Sequence, residues 1–270
     1  MSRNVYETNG CLAEYLLFHY SSEREFLSYE FGPREALNFP ARCARLCREF
    51  SSSAGPERAL DLGCAVGRST FELADFCRRV TGVDFSKKFI DAARTLKESG
   101  SMTCARREEG EITSPIRVAA PADIDRSRVT FERGDARRLR SDLGVFDIVL
   151  AANLIDRLSD PVRFLKGLPS LVRSGGILVI TSPYSWMEEF TPKNRWLGGV
   201  KRNGKAVKTL ESLKHHLADA FSLAACRDMP FLIREHARKF QWCVAEATVW
   251  KRNSTKESYY SGSPMVGLPE

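Results

Sequence analysis

Two rhythms of apolar and polar positions run through this chain. Short apolar runs at 59–62, 80–84, 128–133, 145–152 and 177–181 each read as a buried strand, and the first four end in glycine, acid or asparagine. Between them the apolar positions recur at helical spacing, over 69–77, 86–96, 161–172 and 206–220. Two helices precede the first strand, at 12–20 and 36–50, with Pro40 in the first turn of the second. Two strands close the pattern, 221–226 and 239–250, and the partial alternation of the latter suits an antiparallel edge pair. Strand and helix in alternation predict an α/β fold with a mostly parallel, seven-stranded sheet whose final strand is antiparallel. The expected layout is a helical cap at 1–55, one main domain at 56–252 and a disordered polar tail at 253–270. A Glu-, Arg- and Ser-rich stretch at 99–127 interrupts the path to the third strand and reads as a mobile surface insertion.

The exit of the first strand carries the chemistry. Asp61-x-Gly63-x-Ala65-x-Gly67 joins strand to helix through small residues, so backbone N–H groups and a helix N-terminus face whatever binds there. The spacing differs from the dinucleotide fingerprint, whose last glycine lies three residues after the second. It resembles the first motif of S-adenosylmethionine (SAM) dependent methyltransferases, with Ala65 where a middle glycine is usual. Without that resemblance the same residues make a tight strand-to-helix turn in some other α/β enzyme. The second strand ends at Asp84, followed by Phe85, and a carboxylate there accepts both ribose hydroxyls of a nucleoside. The same Asp84 equally suits a cap on the next helix. Gly134-Asp135-Ala136 ends the third strand, and in the methyltransferase pattern an acid plus a small residue here meets the adenine ring; the plainer alternative is a Gly-Asp turn. The fourth strand opens at Asn153-Leu-Ile-Asp156-Arg157-Leu158, where an acceptor would meet the methyl group. That segment is not Asn/Asp-Pro-Pro-Tyr, which counts against DNA and exocyclic-amine acceptors. The resemblance implies a class I, Rossmann-like fold binding SAM and releasing S-adenosylhomocysteine (SAH), with Asp61, Gly63, Ala65, Gly67, Asp84, Phe85, Asp135, Ala136 and Asn153 at the cofactor.

Composition adjusts the picture little. The 41 basic and 34 acidic side chains leave a net charge of +7. That permits RNA but does not demand it, since the basic clusters at 133–140 and 193–208 do not interleave with aromatics as single-strand binding platforms do. Eight cysteines fall mostly inside apolar patterns and read as buried free thiols; Cys43-x-x-x-Cys47 has no partner pair to complete a zinc set, and no metal is expected. No apolar run approaches the ~18 residues of a membrane span, and no signal-peptide pattern opens the sequence, so a cytoplasmic protein is expected.

Four stretches narrow the resemblance: Glu14-Tyr-Leu-Leu-Phe-His-Tyr20, Leu37-Asn-Phe-Pro-x-Arg42, Ala152-Asn-Leu-Ile-Asp-Arg-Leu158, and the long Asp228-Met-Pro-Phe-Leu-Ile-Arg-Glu-His-Ala-Arg-Lys-Phe-Gln-Trp242. They are similar to the thiohistidine N-methyltransferases of ovothiol biosynthesis, in a stand-alone form that would work with a separate sulfoxide synthase. The resemblance implies methyl transfer to the imidazole nitrogen of 5-thiohistidine nearest the side-chain carbon. Asp156 is then the candidate base and Asn153 a ring hydrogen-bond partner. Tyr15, His19, Tyr20, Asn38 and Arg42 would wall the acceptor, Arg42 pairing its carboxylate, while Tyr184 and Trp186 would stack on the ring. Arg234, His236 and Lys239 lie in the long motif without an assigned direction. A methyltransferase of another small molecule, an RNA methyltransferase and an inactive SAM-binding subunit are the competing readings.

Overall fold

The structure, a computed structural model, describes residues 5–52 and 55–254; the expected tail therefore lies almost wholly outside the described residues. Helix α1 (Asn9–Tyr20), the single turn α2 (Glu23–Phe26) and α3 (Phe39–Phe50) come first. Then follow β1 (Arg58–Leu62), α4 (Arg68–Leu73), β2 (Arg79–Asp84) and α5 (Lys87–Ser99). A hairpin of β3 (Ser101–Glu109) and β4 (Ile112–Ala119) leads into β5 (Val129–Arg133) and β6 (Phe146–Ala152). The chain continues through α6 (Pro161–Gly167), β7 (Val172–Ser182), a small hairpin of β8 (Val200–Arg202) and β9 (Lys205–Val207), and α7 (Thr209–Leu217). It closes with β10 (Phe221–His236) and β11 (Lys239–Arg252).

Seven strands form one sheet in the order β10-β11-β7-β6-β1-β2-β5. Strands β5, β2, β1, β6 and β7 are parallel, and β11 lies antiparallel between β7 and β10. The expected sheet is present, with β11 inside it and β10 at the edge. Successive residues of β6 feed opposite layers: Ile148 and Leu150 join the core under α3, α4 and α5, while Val149 and Ala151 join the one under α6 and α7. Both faces are thus covered, which is why these strands read as continuous apolar runs. Cys43, Cys47, Cys64 and Cys77 are buried thiols within this packing, whereas Cys226 is exposed.

The stretch at 99–127, expected as a surface insertion, folds into the β3–β4 hairpin. Its strands alternate, with Ile116 and Val118 buried and the charged residues between them outside. Arg234, itself buried, donates to the Arg107 carbonyl at 2.7 Å and to Glu108 Oε2 at 3.0 Å, and the Ala237 N–H bonds the Glu108 carbonyl at 3.2 Å. The insertion is therefore tied to the end of β10, and Arg234 is its tether. Other boundaries shift for local reasons. Lys205–Val207 pairs with Val200–Arg202, so the helix expected at 206–220 starts only at Thr209. The glycine pair at 175–176 sits inside β7 at an irregularity in its pairing with β6.

Strand β10 is the longest, 16 residues, and runs well past the expected end at 226. Strand β11 pairs with β7 only from Glu246 to Lys251, and Ser182 ends β7 opposite Glu246. The rest of the β10–β11 hairpin stands free of β7 as an arm rising beyond the C-terminal ends of the parallel strands. That is the end of an open α/β sheet at which ligands bind.

Candidate active site

A cavity of about 740 Å³ opens over the ends of β1, β2, β5 and β6, between α1 and the arm. Its floor is the turn after β1. Gly63 faces the cavity at φ +72°, and a Cβ there would approach the Leu154 side chain to 2.9 Å. Ala65 takes the left-handed conformation at φ 48°, unusual for a residue with a Cβ, and its N–H donates to Asp84 Oδ2 at 2.9 Å. Gly67 is different from the expectation. At φ +89° it turns into α4 away from the cavity, and a Cβ would lie 2.4 Å from the buried Phe131 ring. Asp61 also lies below the cavity, not in it. Its Oδ2 accepts from the Ser69 and Thr70 hydroxyls at 2.7 Å each, Oδ1 is buried without a partner, and burial pushes the carboxyl up to about 6. Asp61 and Gly67 thus shape the turn; Gly63, Ala65 and Ser69 present it.

Asp84 ends β2 on the cavity wall. Oδ1 accepts the Ser86 N–H at 2.8 Å, Oδ2 the Ala65 N–H, and remaining lone pairs face the cavity, as a pair of ribose hydroxyls requires. Phe85 beside it is 54% exposed, with the Arg133 guanidinium over one side of its ring. Asp135 and Ala136 line the next stretch. The Arg137 guanidinium grips the Asp135 carboxylate at 2.6 Å and holds its pKa below the usual range. Tyr6, absent from the sequence-based site, covers this end: Ser86 Oγ donates to its carbonyl at 3.0 Å, and its ring packs on Phe89, Tyr15 and Phe190. Glu7, next to it, accepts the Lys87 N–H at 2.7 Å at the start of α5. A concave nucleoside-sized floor, a strand-end carboxylate and a flanking ring fit the adenosyl half of SAM.

Residues 60–180 match the Methyltransferase domain family. The ubiquinone biosynthesis O-methyltransferase of Coxiella burnetii is 25% identical over 126 residues, 47% of this chain and 43% of that one. The mitochondrial counterpart in Arabidopsis thaliana is 29% identical over 162 residues, covering 56% and 43%. Ajmaline N-methyltransferase of Rauvolfia serpentina is 25% identical over 128 residues, covering 47% and 36%. The chain spans less than half the length of these curated relatives. Among solved structures, YcgJ of Bacillus subtilis superposes with a TM-score of 0.52 at 12% identity over 79% of this chain and 99% of that one. The [4+2]-cyclase SpnF superposes at 0.51 and 17% identity, covering 80% and 81%. These structural likenesses concern the fold alone. The match over 60–180 and the seven-stranded sheet show the class I, Rossmann-like methyltransferase fold.

The other end of the cavity is built from β6, α1, α3 and the arm. Asn153 follows β6 at φ 48°, its N–H bonded to the Thr181 carbonyl at 2.9 Å and its Oδ1 accepting from Thr181 Oγ1 at 3.0 Å. Asp156 lines the cavity yet is fully buried. Oδ2 accepts from Arg157 at 2.9 Å and from the Ser185 N–H at 3.1 Å, while no donor in hydrogen-bonding geometry meets Oδ1. Burial raises its pKa, with Arg157 opposing. Tyr15 and His19 wall the cavity as expected. His19 is neutral: burial lowers its pKa to about 3, and its Nδ1 accepts the Arg68 N–H at 3.3 Å.

Five expected acceptor contacts are not brought to the cavity. The Tyr20 hydroxyl donates to the Val66 carbonyl at 2.6 Å inside the core. Asn38, left-handed at φ 55°, reaches Glu23 at 2.9 Å on the far side of α3. Arg42 spends its guanidinium on the Leu37 and Pro230 carbonyls and the Phe39 ring, so no carboxylate is paired there. Tyr184 also turns left-handed, and its hydroxyl donates to Glu246 at 2.6 Å. Trp186 is buried against Trp196 and donates to Thr209 Oγ1 at 3.0 Å. In their place the wall comes from Phe18, Phe39, Phe231, Ile233 and Gln241. Phe231 pairs with Cys243 and Ile233 with Gln241 across the arm, so one face of alternate residues supplies the wall.

The raised Asp84 pKa gives a pH test of the cofactor end. Burial pushes this carboxyl up to about 6 against the two N–H bonds it accepts. Accepting two hydroxyls requires the ionised form, so SAH should bind unimpaired above pH 7. Below pH 6 its Kd should rise by roughly tenfold per unit, as binding must first expel a proton. Calorimetric titrations of SAH between pH 5 and 8 would show this, and a flat profile would remove Asp84 from ribose binding.

Proposed function

We propose that the protein transfers a methyl group from SAM to a ring nitrogen of a small heterocyclic acceptor, 5-thiohistidine being the acceptor that the four motif stretches favour. The observation that carries this reading is Asp156, a buried carboxylate whose Oδ1 has no donor, set in one continuous cavity with Asp84 and Asp135. Bound SAM supplies a methyl group already activated by its sulfonium, which leaves the protein the tasks of positioning, drying and proton management. Oδ1 of Asp156 accepts the N–H of an acceptor imidazole and thereby selects the form whose other nitrogen carries a free lone pair. Arg157 holds Asp156 in place and is itself fixed by the Ser185 carbonyl at 2.9 Å and by the Phe190 ring. Tyr6, Tyr15 and Phe190 exclude water above this point. The O-methyltransferase relatives favour a phenolic acceptor as a second reading, in which the same Oδ1 takes the hydroxyl proton.

Incubation with SAM and a panel of 5-thiohistidine, histidine, histidylcysteine sulfoxide and a catechol, read by mass spectrometry, separates these readings. A gain of one methyl on thiohistidine alone supports the first, a gain on the catechol alone the second. Retained SAM binding with no methylated product from any of the four would overturn both.

A further inference from the structure

Charge is distributed unevenly between the outside of this molecule and its cavity. The chain as a whole carries an excess of basic side chains, 41 against 34. The cavity is lined by six carboxylates, Glu14, Asp84, Asp135, Asp156, Glu189 and Glu235, and by two guanidiniums, Arg137 and Arg157. Both guanidiniums are already paired, Arg137 with Asp135 and Arg157 with Asp156. Asp84 and Asp135 belong to the adenosyl end, and Glu189 is exposed at the mouth. Glu14 and Glu235 remain, on the two walls of the acceptor end, α1 and β10.

These two are differently placed. Glu235 is braced from outside, by Lys239 Nζ at 2.8 Å and by Gln241 Nε2 at 2.7 Å. For half-buried Glu14, no described residue donates a hydrogen bond or lies within ion-pair distance. Burial raises its pKa, Arg107 offsets this from a distance, and the Glu235 charge across the cavity raises it further. A partly desolvated carboxylate facing a second one is poorly satisfied by the protein, and a cation from outside satisfies both. The rings around them suit the same guest. Phe18 lies 6.5 Å from Tyr15 and 6.3 Å from Phe231, and Phe231 lies 5.1 Å from Phe39, giving a wall of π-faces and edges beside the carboxylates. Asp156 lines the same cavity, and its buried Oδ1 has no hydrogen-bond partner.

From this arrangement we propose that the acceptor carries an ammonium group, held between Glu14 and Glu235 against the Tyr15–Phe18–Phe231 wall, while its ring N–H meets Asp156. The inference rests on the methyl-transfer reading for the ring but not for the ammonium. It also states what the site does without: with Arg42 turned away and both lining guanidiniums paired, an acceptor carboxylate gains nothing here.

The test is a calorimetric titration of the SAH-loaded protein with 5-thiohistidine, its decarboxylated amine and its des-amino acid. The amine should bind at least as tightly as the amino acid, and the des-amino acid about tenfold or more weakly. Glu14→Gln and Glu235→Gln should each weaken the amine about tenfold, leaving the des-amino acid and SAH unchanged. Des-amino acid binding as tight as that of the amine, or amine binding unaltered in both variants, would overturn the proposal; so would binding by none of the three. If the amine is discriminated but mass spectrometry shows no methylated thiohistidine, the ammonium site stands and only the acceptor's ring must be reassigned.

Discussion

Asp156→Asn is expected to lower kcat by about 10²- to 10⁴-fold while leaving the Kd for SAH within roughly threefold. The argument is geometric. Oδ2 is pinned by Arg157 and the Ser185 N–H, so the asparagine rotamer that keeps an oxygen there places its NH2 where Oδ1 now stands. One atom changes from proton acceptor to proton donor, and little else moves. SAH binding reports on Asp84 and the turn after β1, which the substitution does not touch. Single-turnover kinetics with calorimetry in parallel would separate the two, and unchanged turnover would exclude Asp156 from proton handling. Because burial raises the Asp156 pKa, the wild-type rate should fall as acidification protonates it, and this limb should vanish in the variant.

The second large effect is on the fold itself. Gly67→Ala should cost about 2–4 kcal/mol, the sum of a left-handed residue with a Cβ and an overpacked contact. The added methyl would sit 2.4 Å from the Phe131 ring, which is buried and packs edge-on against Phe71, so neither ring can yield. A fall of roughly 5–12 °C in Tm by calorimetry is the expected readout. Gly63→Ala is the informative contrast. Its methyl meets only the tip of the Leu154 side chain, so stability should suffer less and cofactor affinity more, because Gly63 faces the cavity. Equal losses of Tm in the two variants would refute this division of labour.

The strand ends that line the cavity were legible in the sequence. Once β1, β2 and β5 are placed by their apolar runs, parallel pairing fixes where Asp84 and Asp135 emerge, leaving little freedom. Asp61 and Gly67 belonged to the same motif, yet the path of the turn, which spacing does not specify, buries the Asp61 carboxyl and sets the Gly67 backbone against the Phe131 ring. The acceptor half was harder to read. Tyr184 and Trp186 follow β7 as expected of pocket-forming residues, but a left-handed residue at 184 turns the loop, and Glu246 and Thr209 capture their polar ends. The available signal lay in the long motif. Phe231, Ile233 and Glu235 alternate, which is strand spacing, and reading that period would have extended β10 and found the wall. Likewise Ile116 and Val118 alternate within the polar insertion, enough to suggest the β3–β4 hairpin.

The arm has an evolutionary consequence. Its cavity-facing positions, 231, 233, 235, 241 and 243, occupy one face of a two-stranded ribbon that departs from the sheet beyond Ser182. Main-chain pairing sets the path of the ribbon, and the one side-chain bond among these five positions joins Glu235 to Gln241, so they can be exchanged with little effect on that path or on the turn after β1. Few substitutions on that face would suffice to hand the same methyl-donating core a new guest, and a library restricted to those five codons is the smallest in which to look for one.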